Sequence, residues 1–247
     1  MEYAKLGNTD IEVSKLCIGC MSFGKAGTMH DWTLDAQESE KVIKHALDLG
    51  INFFDTANCY SAGTSEEYLG QALKKNVARD KVVIASKVYF NEGRLSKAAI
   101  EREIDGSLKR LGTDYLDLYI IHRFDFDTPI EETMGALADI VRQGKALYVG
   151  ISNYDADQTR KALAVLKEHK VPCLIHQARY SMFDRWTEPD LLPVLKEEGV
   201  GMIAFSPLAQ GLLTDKYLRG IPENSRAAKS TGHLQTSQVT PEAVEKA

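Results

Sequence analysis

Ile51-Asn52-Phe53-Phe54-Asp55-Thr56-Ala57-Asn58-Cys59-Tyr60 is the stretch on which the fold turns. A short apolar run, 51–54, stops on an acid, and a tyrosine follows five residues beyond it. Two later runs end in a similar way: 82–85 lies just before Lys87, and 115–121 runs directly into His122. A doubly wound dinucleotide domain would normally carry G-x-G-x-x-G after its first strand, and that spacing occurs nowhere in the chain. Polar groups at the ends of several different strands are the pattern of a closed barrel.

Outward from this stretch, strand-like apolar segments alternate with amphipathic helices. A hairpin is expected first, from 3–6 and 11–16 around the turn Gly7-Asn8-Thr9-Asp10. Strands are expected at 16–18, 52–54, 82–85, 115–121, 146–151, 173–177 and 201–205, with helices near 35–49, 65–75, 96–111, 130–143, 155–168 and 187–198. Asp35-x-x-Glu38 and Thr64-x-x-Glu67 read as helix starts, and Ile100, Ile104, Leu108 and Leu111 form one apolar stripe. Repeated β-α units with this site pattern predict an α/β fold, a (β/α)8 TIM barrel, as one domain over 1–247. The count gives seven barrel strands, and 241–247 reads as the opening of a seventh helix. A barrel short of one strand has two unpaired edges. The expectation is therefore a fold truncated before its eighth βα unit, from a longer chain.

The 247 residues, 44% hydrophobic and 26% charged, are enough for one large folded domain. A net charge of −5 with scattered Lys and Arg argues against nucleic-acid binding, which needs a concentrated basic face. No apolar run approaches the ~20 residues of a membrane span, and Met1-Glu2-Tyr3-Ala4-Lys5 does not open like a signal peptide, so a soluble cytoplasmic protein is expected. Cys17 and Cys20 form C-x-x-C, but Cys59 and Cys173 give no second pair, and no metal is expected.

Tyr60 is the natural proton donor among the four strand-end groups, yet a phenol near pKa ~10 gives up its proton poorly at neutral pH. Lowering that value by ~3 units takes about 4 kcal/mol, roughly what one ammonium ~4 Å away supplies at an effective dielectric of ~20. Lys87 is the candidate ammonium, Asp55 the anion that keeps it charged, and His122 a hydrogen-bonding guide for a carbonyl oxygen. Taken singly, Asp55 reads equally as a helix cap, Lys87 as a solvated strand end and His122 as a core histidine; their joint placement carries the reading. Ser152 and Asn153 after one strand, and Gln177 closing another, offer amide and hydroxyl groups for a carboxamide ring. Phe205 offers a stacking face or a core aromatic, and the loop Pro207-Leu208-Ala209-Gln210-Gly211-Leu212 offers backbone N–H groups to a pyrophosphate.

These residues resemble the aldo-keto reductase family. Asp55-Thr56-Ala57 with Tyr60, then Lys87, then His122-Arg123-Phe124-Asp125 are similar to its tetrad motifs in order and spacing. Gly150-Ile151-Ser152-Asn153, His176-Gln177 and Ala204-Phe205-Ser206-Pro207-Leu208 look like its cofactor segments. The resemblance implies an N-terminal β-hairpin cap on the barrel, and NADPH/NADP+ bound across the strand ends, with Tyr60 as acid, Lys87 and Asp55 tuning it, and His122 orienting substrate. It further implies cofactor contacts from Gly19, Met21, Asp55, Ser152, Asn153, Gln177, Phe205, Ser206, Leu208, Gly211, Leu212 and Lys216. The segment that grips adenosine and the 2′-phosphate in the family follows the eighth strand, so NADP over NAD is inherited from the resemblance.

The stretches 172–177, 211–217 and 221–228 resemble the bacterial glyceraldehyde-3-phosphate reductase branch, which is close to potassium-channel β-subunits. The leading expectation is an enzyme, an NADP-dependent oxidoreductase reducing small aldehydes or ketones. The partner is then a small-molecule carbonyl substrate, with no nucleic acid or membrane and a homo-oligomer left open. A nucleotide-binding regulatory subunit with little turnover is the alternative, and an aldolase with Lys87 as Schiff-base nucleophile a third. Loops 25–33 and 89–95 are expected to shape the substrate pocket, with Trp32, Tyr89 and Trp186 as its walls or as packing.

Overall fold

A computed structural model describes residues 1–28, 30–229 and 233–247. The chain opens with an antiparallel hairpin, β1 (Tyr3–Lys5) against β2 (Glu12–Ser14), in the register Ala4 to Val13. Seven parallel strands follow: β3 (Ile18–Gly19), β4 (Phe53–Asp55), β5 (Val83–Val88), β6 (Leu116–Ile121), β7 (Ala146–Ser152), β8 (Cys173–Arg179) and β9 (Gly201–Phe205). They form one sheet in chain order, with β3 and β9 at its two ends among the described residues. Between the strands run α1 (Ala36–Asp48), α2 (Thr64–Asn76), α3 (Lys97–Leu111), α4 (Ile130–Arg142), α5 (Ala156–Glu168) and α6 (Leu191–Glu198); α7 (Pro241–Glu245) comes last. The sheet is a curled partial (β/α)8 barrel, as the alternation of apolar runs implies. Its curl is visible chemically, because Gln177 on β8 donates to Asp55 on β4 although neither strand is the other's neighbour.

Successive strand residues point to opposite faces, and both faces are buried in the middle of this sheet, along β4, β5 and β6, while its end strands β3 and β9 are partly exposed. Phe53, Val83, Ala85, Leu118, Ile120 and Ile175 fill the interior together with Leu6 and Val13 of the hairpin, which closes its floor; Leu174 joins them out of turn where β8 shifts register against β7. Phe54, Ile84, Val88, Tyr119 and Ile121 pack the other way, under the helices. This two-residue period settles which side chains look inward at the strand ends. Asp55 shares parity with Phe53, Lys87 with Val83 and Ala85, and Gln177 with Ile175.

Several boundaries differ from the sequence expectation, each for a local reason. The strands β4, β5 and β7 run further than expected, taking Asp55, Lys87 and Ser152 into the ladder, and β8 continues past Gln177 to Arg179. Helix α6 starts at Leu191, not near 187, because Pro189 biases Glu188 away from helical geometry and supplies no N–H. Asp35 caps α1 as expected, accepting from the Gln37 and Glu38 amides at 2.9 Å. Thr64 is not a cap: Gly63, at φ 89°, holds that position, and Thr64 Oγ1 accepts from Lys25 N at 2.9 Å and donates to Ser61 O at 2.7 Å. Gly70 lets α2 approach the end of α3, since a Cβ there would lie 2.2 Å from the Leu111 carbonyl oxygen.

Candidate active site

The interior-facing strand ends bring Asp55, Tyr60 and Lys87 into one contact. Lys87 Nζ donates to Asp55 Oδ1 at 2.5 Å, to Thr56 O at 2.7 Å and to the Tyr60 hydroxyl at 3.2 Å. Asp55 Oδ2 accepts from Gln177 Nε2 at 2.9 Å, so both carboxylate oxygens are held. Tyr60 sits in the turn before α2, its ring edge-on to His122 at a centroid separation of 5.7 Å. His122, just past β6, is anchored by its N–H to Val88 O at 3.0 Å, and Phe90 meets its ring edge-on at 5.1 Å. Asn153 Nδ2 donates to His122 O at 3.0 Å and to Ser152 Oγ at 3.1 Å, tying the β7 end to the β6 end.

Backbone strain is concentrated here. Ser61, Ala62, Asn153, Ser206, Ala209 and Gln210 all have φ between 45° and 61°, a region that side-chain-bearing residues seldom enter. Such positions persist where surrounding structure fixes them, and they gather at working sites.

Burial pushes the Lys87 amine toward its neutral form, but Asp55 and then Tyr60 more than offset this, so it stays an ammonium. A charged, wholly buried lysine is a poor carbonyl nucleophile, which weighs against the Schiff-base reading. Burial also raises the Tyr60 phenol, and Lys87 counters only part of that rise. The sequence expectation of a phenol brought toward neutral pH is corrected by this balance: Tyr60 holds its proton. Burial, then Lys87 and Arg123, lower His122 to about 3, so its imidazole is neutral.

These groups open onto a cavity of about 870 Å³, within the ~300–1,000 Å³ range of ligand sites. Gly19, Met21, Asp55, Tyr60, His122, Ser152, Asn153, Gln177, Phe205, Ser206, Leu208, Gly211 and Lys216 line it. Lys87 stands behind Asp55 and Tyr60. Leu212 does not line the cavity; its side chain packs with Tyr217, Ala227 and Leu234. Trp32, Tyr89 and Trp186 are not walls of it either. Trp32 stacks on His30, Tyr89 packs on Phe90, and Trp186 Nε1 donates to Arg179 O at 2.9 Å. Met29, within the expected pocket loop, lies outside the described residues. Cys59, Phe90, Tyr217, Arg226 and His233 also line the cavity and were not picked out from sequence. Cys59 and Phe90 were findable as close chain neighbours of Tyr60 and Lys87; the segment bearing the other three has no strand or long-helix period to follow.

The profile of the Aldo/keto reductase family matches residues 15–247. The chain belongs to that family. L-glyceraldehyde 3-phosphate reductase of Escherichia coli (strain K12) is 42% identical over 240 residues, which cover 92% of this chain and 67% of that protein. A protein named probable voltage-gated potassium channel subunit beta, from Oryza sativa subsp. japonica, is 37% identical over 92% of this chain and 70% of its own length. The fold superposes on a thermostable aldo-keto reductase solved with the inhibitor epalrestat, with a TM-score of 0.78, 36% identity, and coverage of 87% of this chain and 76% of that one. As an aldo/keto reductase the chain is an oxidoreductase of a family that generally uses NAD(P)H. The cavity suits such a group: Lys216 and Arg226 bring positive charge to its wall, which Tyr217 also lines, its buried hydroxyl without a hydrogen-bond partner among the described residues. No helix among the described residues is long and apolar enough to cross a membrane.

Proposed function

We propose that this aldo/keto reductase reduces the carbonyl group of small aldehydes or ketones to alcohols, using NADPH and Tyr60 as proton donor. The observation that carries the reading is the convergence of Asp55, Tyr60, Lys87 and His122 at one end of a cavity whose wall also holds Ser152, Asn153 and Gln177. A dinucleotide held there would supply the hydride for the carbonyl carbon. Neutral His122 donates a hydrogen bond to the carbonyl oxygen, and Tyr60 passes its proton to that oxygen as negative charge develops. The Lys87 ammonium, 3.2 Å from the phenol oxygen, then stabilises the phenolate left behind. Asp55 keeps Lys87 charged through the cycle. Ser152, Asn153 and Gln177 are assigned to the carboxamide, Phe205 to its stacking face, and Lys216 with Arg226 to the phosphates. The preference for NADPH over NADH rests on the family resemblance. A reducing, cytoplasmic compartment is part of the reading, supported by four unpaired cysteines.

The test is oxidation of NADPH followed by absorbance with glyceraldehyde and an aromatic aldehyde. Turnover is expected in the wild type and a fall of about 10²–10⁴-fold in Tyr60→Phe. Full turnover in that variant removes the acid assignment. A second reading, a nucleotide-holding subunit of a larger assembly, is favoured by the similarity to the rice protein. Tight NADPH binding with no reduction across a carbonyl panel would select it.

A further inference from the structure

His122 carries a single proton, and its surroundings distinguish its two nitrogens. Nδ1 lies 4.0 Å from Cys59 Sγ, within reach of a sulfur hydrogen bond, and both residues form part of the cavity wall. Tyr60 and Phe90 meet the imidazole edge-on, at interplanar angles of 82° and 85°, and restrain the ring. A neutral imidazole donates from one nitrogen and accepts at the other. A proton on Nδ1 would leave Nε2 presenting a lone pair to a carbonyl oxygen, which also carries lone pairs. Burial holds the Cys59 thiol up at about 11, so its sulfur keeps its hydrogen and has one to give.

We propose that Cys59 is a positioning residue: its S–H donates to His122 Nδ1 and keeps the imidazole proton on Nε2, the nitrogen left for the carbonyl oxygen. The catalytic consequence rests on the reductase reading, whereas the tautomer is a property of the resting protein. The two are therefore tested apart.

Nitrogen-15 spectra of protein labelled at histidine read the tautomer directly, with His122→Asn assigning the signal. Wild type is expected as the Nε2–H form. Cys59→Ser is expected to keep that form, since a hydroxyl also donates, and Cys59→Ala to show both forms. In turnover, Cys59→Ala is expected to lose about three- to tenfold in kcat with KM little changed, the effect of one modest hydrogen bond, and Cys59→Ser to recover part of the loss. An Nδ1–H signal in the wild type, or an unchanged tautomer in Cys59→Ala, overturns the proposal whether or not aldehydes are reduced. The expected tautomers in a protein without turnover would uphold it and overturn the reductase reading alone.

Discussion

Lys87 Nζ lies 2.5 Å from Asp55 Oδ1, with the lysine side chain wholly buried and the aspartate nearly so. Both charges have left water, and each is tolerable because the other is present. Lys87→Met leaves Asp55 buried without its cation and is expected to cost about 3–5 kcal/mol, read as a lower urea midpoint. The double variant Asp55→Asn with Lys87→Met should lose less than the two single losses added together. Simple additivity would show that the pair is not coupled.

If Tyr60 is the proton donor proposed for the reduction, the pH profile follows the titration of its phenol. Its phenol is raised above the ordinary value by burial, which Lys87 only partly relieves, so it keeps its proton at neutral pH. Aldehyde reduction should hold level from pH 6 to about 9 and fall only beyond about 10, where a free phenol begins to ionise. A decline centred near pH 7 in kcat for reduction would contradict the electrostatics.

His176 links acid to unfolding. Its Nε2 donates to Tyr154 O at 3.0 Å, and burial lowers the imidazole from 6.5 to about 4. Between those values the unfolded chain takes up the proton and the folded chain does not, so stability falls as pH falls. The slope from this group is at most about 1.4 kcal/mol per pH unit, fully recovered above pH 6.5. His176→Gln should therefore show a shallower acid limb in melting temperature between pH 6.5 and 4.5 than the wild type. Parallel limbs would count against it.

Arg226 forms part of the cavity wall, its guanidinium 5.2 Å from the centre of the Trp32 ring. Arg226→Ala should weaken NADPH binding about tenfold or more, the loss of one hydrogen bond to a charged group, with a smaller difference at high salt. Fluorescence titration at two ionic strengths measures both effects. Equal affinities would detach Arg226 from the phosphates.

Gly70 marks where two helices touch without a side chain between them. Gly70→Ala puts a Cβ against the Leu111 carbonyl and should cost about 1–3 kcal/mol of stability through overpacking. The measure is the melting temperature, and an unchanged value would mean that α2 and α3 separate freely.

Much of this was legible in the sequence because strands enforce a period. Once the runs at 51–54 and 82–85 are strands, alternation alone sends Asp55 and Lys87 inward with Phe53 and Val83. Gln177 follows in the same way from Ile175. What the sequence could not supply is depth. The direction of the Tyr60 shift depends on how much water the folded turn excludes, and a count of neighbouring charges omits that. The segment after β9 hid its residues for a different reason: it is built of short 3-10 turns, whose lack of a sustained period gave no sign that Leu212 packs away while Tyr217 and Arg226 reach the cavity. The late start of α6 is written in Pro189, a local backbone constraint that overrides the apolar pattern around it.

The hydrogen bond from Gln177 to Asp55 spans 122 positions of chain. Helices regain their form from near neighbours, whereas distant pairings must wait for loops to close. The contact that holds Asp55 from its far side is therefore among the long-range ones, and the site is complete only when two strands that never lie side by side have been brought together by the curl of the sheet.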